Sequence, residues 1–497
     1  MKNTPLGFIA LVAMAWAFAS SLSAQTFSVL RHFSGTPDGR SPQAGVVSVG
    51  NALFGAADSG GAWGNGTYFK LNKDGSGYAT LYNFSFLLNE TNSDGAYPDN
   101  TPVLVGNTLF GAAYNGGLFG NGTVFKLNTN GTGFTTLHHF AASALNPSGI
   151  ATNAGGANPE SGLLVADDVV YGTTENGGPS GYGTVFRVKT DGTGFTNLHS
   201  FATNEGEFVE ALILVGSNLY GTAAGLISGR GTVFKLNTNG SGFGILHTFV
   251  ATNFVPPAGG DGPGPEPAYP NVDGAFVTSL TSDGSTLFGT TYAGGVNGNG
   301  TVFRMNLDGS GFTVLHNFAA SANNNNGSYT NAGGAHPIQF SGLKLSGNTL
   351  YGTTYHGGTG GNGTVFALTT NGTEFAVLHH FTATTGANSI NSDGANPYQG
   401  LSMSVGTLFG TAKNGGNTGN GTVFSLTTAP LLNITRANTS VLLTWPTTAV
   451  GFTLESTTNL TAPATWAAVT PAPTLVNGFN TVTNAIAISP KFYRLKH

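Results

Sequence analysis

Five carboxylates hold one equivalent place in copies of an internal repeat: Asp38, Asp94, Glu205, Asp273 and Asp393. A glycine follows each of them and an apolar run begins a few residues on, while Gly155 and Gly333 hold the same place in two further copies. Oxygen ligands suit Ca²⁺ or the hydroxyls of a polyol, so acids converging from several copies would make a cation or polyol site. The same pattern also fits a turn that an aspartate initiates before proline. A second set varies inside a constant frame. After L-Y-G-T-T or its variants comes Asp58, Tyr114, Glu175, Ala224, Tyr292, Tyr355 or Lys413, and the loops beyond add Trp63, Phe119, Tyr182 and His356. Residues common to every copy serve the fold, whereas those that vary within it are free for a site. Aromatic rings offer apolar faces with polar tips, as sugar recognition needs. The candidate ligand contacts are therefore Tyr114, Tyr292, Tyr355, Trp63 and Glu175, together with the five acids.

Two other repeated residues invite chemistry and are assigned to structure. His138, His199, His247, His316 and His379 follow the same leucine, with Arg31 and Tyr82 at the equivalent sites. Histidines on separate copies lie too far apart to share a metal ion, whose ligands sit within ~2 Å of it. They are expected to pack at a rim. The N-G-T at Asn65, Asn121, Asn299, Asn362 and Asn420 matches a glycosylation acceptor, but its recurrence before one strand marks a glycine turn.

Four short apolar segments carry these residues, and they recur in fixed order. An apolar run is followed by the L-Y-G-T-T segment, then by G-T-V-F, then by F/Y-x-x-L-x-x-F, each present in seven copies. All are rich in β-branched and aromatic residues and bounded by glycine turns, so each reads as a strand. Seven modules of four antiparallel strands predict an all-β fold, a seven-bladed β-propeller over residues 25–427. The seventh module lacks its outer strand. The stretch FSVLRHF at 27–33 supplies it from the other end of the chain, which would close the ring and leave no orphan edge. In such a ring the variable loops emerge on one face, with the five acids at the channel mouth.

Residues 428–497 break the pattern and alternate like a small β-sandwich domain holding Trp445 and Trp466. Its one acid, Glu455, stands against four bases in number, Arg436, Lys491, Arg494 and Lys496, so this part is basic while the whole chain carries −5. The first 24 residues pair Lys2 with an apolar run and small residues, the pattern of an export signal. No cysteine is present, which excludes disulfides, thiol catalysis and thiolate metal sites. No basic stripe suggests nucleic acid, and no apolar run past the signal is long enough to span a membrane.

The unit G-T-V-F-x-L-N-x-[DN]-G-[ST]-G-F-x-x-L-H-x-F, joined to L-Y-G-T-T, resembles the tandem GloVer repeat of choice-of-anchor bacterial proteins. The resemblance spans about residues 25–427 and implies export, with a C-terminal region that differs between members. It implies no catalytic residues. The ending FYRLKH is similar to a C-terminal domain of exported Verrucomicrobia proteins.

These features point to an exported monomeric binding protein for a glycan or another envelope component, with no cofactor identified beyond a Ca²⁺ the acids could hold. The competing classes are a secreted polysaccharide lyase or glycosidase with acids at the channel mouth, and a structural matrix protein.

Overall fold

The computed structural model describes residues 26–225, 230–251, 270–323, 329–338, 342–428, 432–446, 453–461, 464–476, 479–486 and 490–496. The expected export signal, most of the proline-rich loop at 255–274 and the junction at 429–431 lie outside these residues. Every element among the described residues is a strand.

Short β-branched and aromatic segments cut by glycine turns can satisfy their backbone only by pairing with the next segment. In the first copy, Val47–Val49, Ala52–Ala57, Thr67–Asn72 and Ala79–Asn83 pair antiparallel in that order. Five further sheets follow the same sequential order along the chain. A seventh combines Ser402–Ser404, Thr407–Ala412 and Thr422–Thr427 with Phe27–His32 as its fourth strand, Phe27 opposite Leu426 and His32 opposite Thr422.

The second and third strands of each sheet are buried on both sides, because neighbouring sheets stack face to face. The apolar clusters run from sheet to sheet, and one of them joins Phe409 and Val423 of the seventh sheet to Val46, Leu53 and Phe69 of the first. The contacts are therefore cyclic, as in propeller-like folds. The closing phenylalanine of each F-x-x-L-x-x-F segment is fully buried and meets an aromatic ring of the next sheet edge-on, as Phe33 meets Phe69 at 5.2 Å and Phe381 meets Phe424 at 5.4 Å.

Repeated glycines mark close approach. A Cβ on Gly55, Gly172, Gly221, Gly289 or Gly410 would lie 2.3–2.6 Å from the tip of a phenylalanine crossing from the third strand. The N-G-T turns are structural as well. The carboxamides of Asn65, Asn121, Asn299 and Asn362 donate to backbone carbonyls at 2.5–2.6 Å.

The C-terminal residues form a four-stranded sheet (Asn433–Ala437, Ser440–Pro446, Phe479–Ala485, Thr474–Val476) and a three-stranded one (Ala467–Ala468, Thr453–Thr457, Phe492–Lys496). Leu443, Trp445, Leu454 and Val482 fill a core between them.

Candidate functional site

One backbone device, repeated in every copy, aims residues toward the centre of the ring of sheets. Three residues after the repeated acid-or-glycine position the chain turns left-handed at a non-glycine residue: Ser41, Tyr97, Asn158, Phe208, Phe276, His336 and Asn396, with φ of 51–61°. Such a conformation costs about 1 kcal/mol or more per residue, so something must hold it. Two bonds do. The amides of Ser41, Tyr97, Asn158, His336 and Asn396 donate to the N-G-T asparagine carbonyl of the preceding sheet at 2.8–3.0 Å. Their carbonyls, and that of Phe208, accept from the first residue of the variable loop at 2.9–3.2 Å, which fixes Asp58, Tyr114, Glu175, Ala224, Tyr355 and Lys413.

Two residues beyond the left-handed turn stand Gln43, Asp99, Glu160, Glu210, Thr278, Ile338 and Tyr398. Three successive copies thus supply an acid, and those acids meet. Burial, followed by repulsion from neighbouring carboxylates, holds Asp99, Glu160 and Glu210 well above the ordinary carboxylate range. Tyr398, from the seventh sheet, feels all three charges. Glu160 donates to Glu175, which also accepts the hydroxyl of Tyr114. Asp58 is likewise raised by burial, against the opposing charge of Lys413. Asp58, Tyr114, Glu160, Glu175 and Lys413 are partly exposed, whereas Asp99 and Glu210 are buried. Asp99 Oδ1 and Glu210 Oε2 have no hydrogen-bond partner. Buried carboxylate oxygens normally find donors, so this cluster is unsatisfied chemistry.

The five acids singled out in the sequence are placed elsewhere. They do not converge on a channel mouth; each is tied to the outer strand of a separate sheet. Arg31 and Ser34 hold Asp38, Tyr82 (2.8 Å) and Ser85 hold Asp94, and His199 (3.0 Å), His247 (3.3 Å) and His379 (3.0 Å) hold Glu205, Asp273 and Asp393. Backbone amides at Ala202, Val250 and Thr382 complete the last three. Burial alone would raise Asp38, but the Ser34 and Arg31 bonds outweigh it and leave the carboxyl below its ordinary value. A Ca²⁺ shared among these five acids is thereby ruled out by position. Among the described residues no group of three or more His, Asp and Glu is arranged to hold a metal ion.

The aromatic candidates divide. Tyr114 and Glu175 join the central cluster. Tyr292 and Tyr355 are only 5% and 6% exposed, packed with Phe276, Ile338 and Tyr398, and present no ring to solvent as the sequence had suggested. Trp63 is 58% exposed, but its loop is pinned to the outer strand through Ala62 N–H and Asn83 Oδ1 at 2.9 Å.

At the outer rim, the residue at the histidine position of each sheet stacks on the first aromatic of the next outer strand. Six such ring pairs lie 3.6–4.0 Å apart and within 11° of parallel, and Arg31 covers Tyr78 at 4.1 Å. A β-bulge in every third-to-fourth strand ladder turns this residue toward its neighbour. The last of these pairs, His379 on Phe27, reaches the N-terminal strand.

The sequence profile of the Gloeobacter/Verrucomicrobia repeat matches residues 14–152, 84–260, 149–328 and 278–462. The chain belongs to this repeat family. Among solved structures, an oligogalacturonate lyase in complex with manganese aligns with 82% of this Gloeobacter/Verrucomicrobia repeat protein and 93% of its own chain, at 11% identity and a TM-score of 0.48. An oligogalacturonate lyase from Vibrio parahaemolyticus covers 82% and 95% at the same 11% identity and TM-score of 0.48. The Nidogen/Laminin complex covers 64% and 90%, at 13% identity and a TM-score of 0.36. No curated protein matches the repeat protein.

The central acids Asp99, Glu160 and Glu210 escaped the sequence reading. Their signal was present, since the residue just after the Pro or Val that ends the turn varies between copies of the repeat, with acids in three successive ones.

A pH prediction follows at the rim. Where the repeat has Gly155 and Gly333 instead of an acid, burial pushes His138 and His316 down to about 4. These rings stay neutral in the folded repeat protein while the unfolded chain protonates near 6.5. Their contribution is fully present above that value and erodes as pH falls toward 4, by on the order of 1 kcal/mol each after allowance for solvent screening. Gly155→Asp and Gly333→Asp supply the missing partner. A Cβ there lies 3.4 Å from Phe195 and 3.8 Å from Phe375, so both fit. Urea titrations at pH 7.5 and pH 5 should show the double variant losing less stability on acidification. An unchanged difference would mean that the acids do not serve the histidines.

Proposed function

We propose that this protein is an exported, non-catalytic binding protein: a seven-bladed β-propeller, closed by the strand Phe27–His32, whose axis carries the recognition site. The C-terminal β-sandwich is a separate module, and the ligand is a hydroxyl- or ammonium-bearing component such as a glycan of the cell envelope. Support for the ring comes from the cyclic packing and from the pairing of Phe27–His32 with Thr422–Thr427. The observation that carries the function is the pair of unsatisfied buried oxygens, Asp99 Oδ1 and Glu210 Oε2, beneath partly exposed Glu160, Glu175 and Tyr114. A fold that repeats its frame seven times has no need of such a cluster in only three copies.

A glycosidase would hold its two carboxyls about 5 Å or more apart to admit the scissile bond. Glu160 and Glu175 bond to each other directly. Binding rather than cleavage is the reading this favours.

The test is a glycan array probed with the secreted chain, with mass analysis of the retained sugars. The expected result is retention of intact glycans, lost in Glu160→Gln/Glu175→Gln. Shortened or unsaturated products would make the protein an enzyme; retention unaffected by the double change would move the site elsewhere.

A further inference from the structure

The geometry points to an ammonium group as the part of the ligand that the axial site recognises. This rests on the binding reading above and narrows it to amine-bearing ligands, such as a glycan of free amino sugars.

Three acids from three successive sheets, Asp99, Glu160 and Glu210, gather where the charges acting on each are mainly those of other carboxylates. Asp99 Oδ1 and Glu210 Oε2 lack donors, and both residues are more than nine-tenths buried. An ammonium brings three N–H donors and one compensating charge, so it answers both deficits together. A neutral hydroxyl answers only the first. A bare metal ion is a poorer match, because no trio of ligands among the described residues is arranged around one point.

The protein already places one ammonium beside this cluster. Lys413 Nζ lies 5.3 Å from the centre of the Tyr398 ring, and its charge acts on Asp58 and Glu160. That arrangement, carboxylate on one side and aromatic face on the other, is a recurring way to hold an ammonium. It leaves Asp99 and Glu210, deeper in, for a second one.

Binding also moves protons. Burial and repulsion from neighbouring carboxylates favour the protonated forms of Asp99, Glu160 and Glu210, and Glu175 and Asp58 are raised as well. The groups facing them are Tyr68, Tyr114, Tyr398 and Lys413, with Arg40 acting on Asp58. An arriving ammonium favours the ionised acids, so protons leave and affinity rises with pH while the amine stays charged.

Calorimetric titration of the full exported chain provides the test. The probes are a trimer of glucosamine, its fully N-acetylated counterpart, and 1,4-diaminobutane, which stays charged from pH 6 to pH 8. The free-amine trimer should bind at least tenfold more tightly than the acetylated one at pH 6. Diaminobutane affinity should rise several-fold from pH 6 to pH 8, with protons released to the buffer. Glu210→Gln and Asp99→Asn should each weaken both amines tenfold or more without lowering the melting temperature. Equal binding of the two trimers would overturn the inference while leaving the glycan reading standing. Amine binding unaffected by either substitution, or no amine binding by the wild type, would overturn it too.

Discussion

Deleting residues 26–34 removes cooperative folding of the ring, at a cost of more than about 5 kcal/mol. Phe33 is fully buried in the cluster joining the seventh and first sheets, and truncating such a phenylalanine alone costs about 3–5 kcal/mol. The deletion also takes away Phe27, stacked on His379 at 3.7 Å, and Arg31, which holds Asp38. It strips the ladder from Thr422–Thr427 and exposes that edge. Urea unfolding of the full and truncated proteins measures the loss. A synthetic peptide of residues 26–34, added in trans, should restore part of it, and a scrambled peptide should not. Equal midpoints for the two proteins would show that the ring does not depend on this strand.

The second large effect runs the other way. Glu210→Gln and Asp99→Asn should stabilise the protein at pH 7.5 by about 1–3 kcal/mol each, because each removes a carboxyl whose ionised form is penalised by burial and by the neighbouring carboxylates. Both carboxyls are raised in the folded state, so the unfolded chain gives up its protons first as pH rises. Their contribution is therefore fully present below the unfolded value near 4 and is lost on the way up to the folded value. The wild type should weaken with rising pH in this range, and the variants should weaken less. Thermal melts from pH 5 to pH 9 decide it. Variants less stable than the wild type at every pH would mean that these acids hold the structure together. A residue whose removal strengthens the fold is kept for another purpose, which is how functional sites trade against stability.

The elements were legible because each strand is a short apolar run closed by a glycine turn, and G-T-V-F or L-Y-G-T-T cannot be mistaken in seven copies. That the stretch 27–33 is a strand pairing with Thr422–Thr427 was legible for the same reason. The site was less so. Asp38 and its equivalents looked like a converging ring, yet a left-handed turn three residues later reverses the chain and leaves them bonded outward to Arg31, Tyr82 or a histidine. Left-handed φ at Tyr97, Phe208 or Phe276 has no sequence signature, since glycine or asparagine is what such a position usually takes. Without that turn, nothing marked Asp99, Glu160 and Glu210 as neighbours. Tyr292 and Tyr355 misled for a related reason: variation was read as exposure, whereas they vary inside a buried aromatic cluster.

One consequence of the pairing of Phe27–His32 with Thr422–Thr427 concerns the order of events during synthesis. The other six sheets pair strands that leave the ribosome one after another, so each can assemble as soon as it is made. The remaining sheet joins partners from opposite ends of the repeat region, Phe27 with Leu426 and His32 with Thr422. Its first-made strand must wait, unpaired, until nearly the whole chain has followed. Local pairing is fast and distant pairing slow, so the ring would assemble as an open arc and lock in a final step. Until that step the protein carries one free strand and one free edge, and two half-made copies could satisfy each other instead. The pairing of Phe27–His32 with Thr422–Thr427 is thus also the place where crowded, newly made chains would exchange strands.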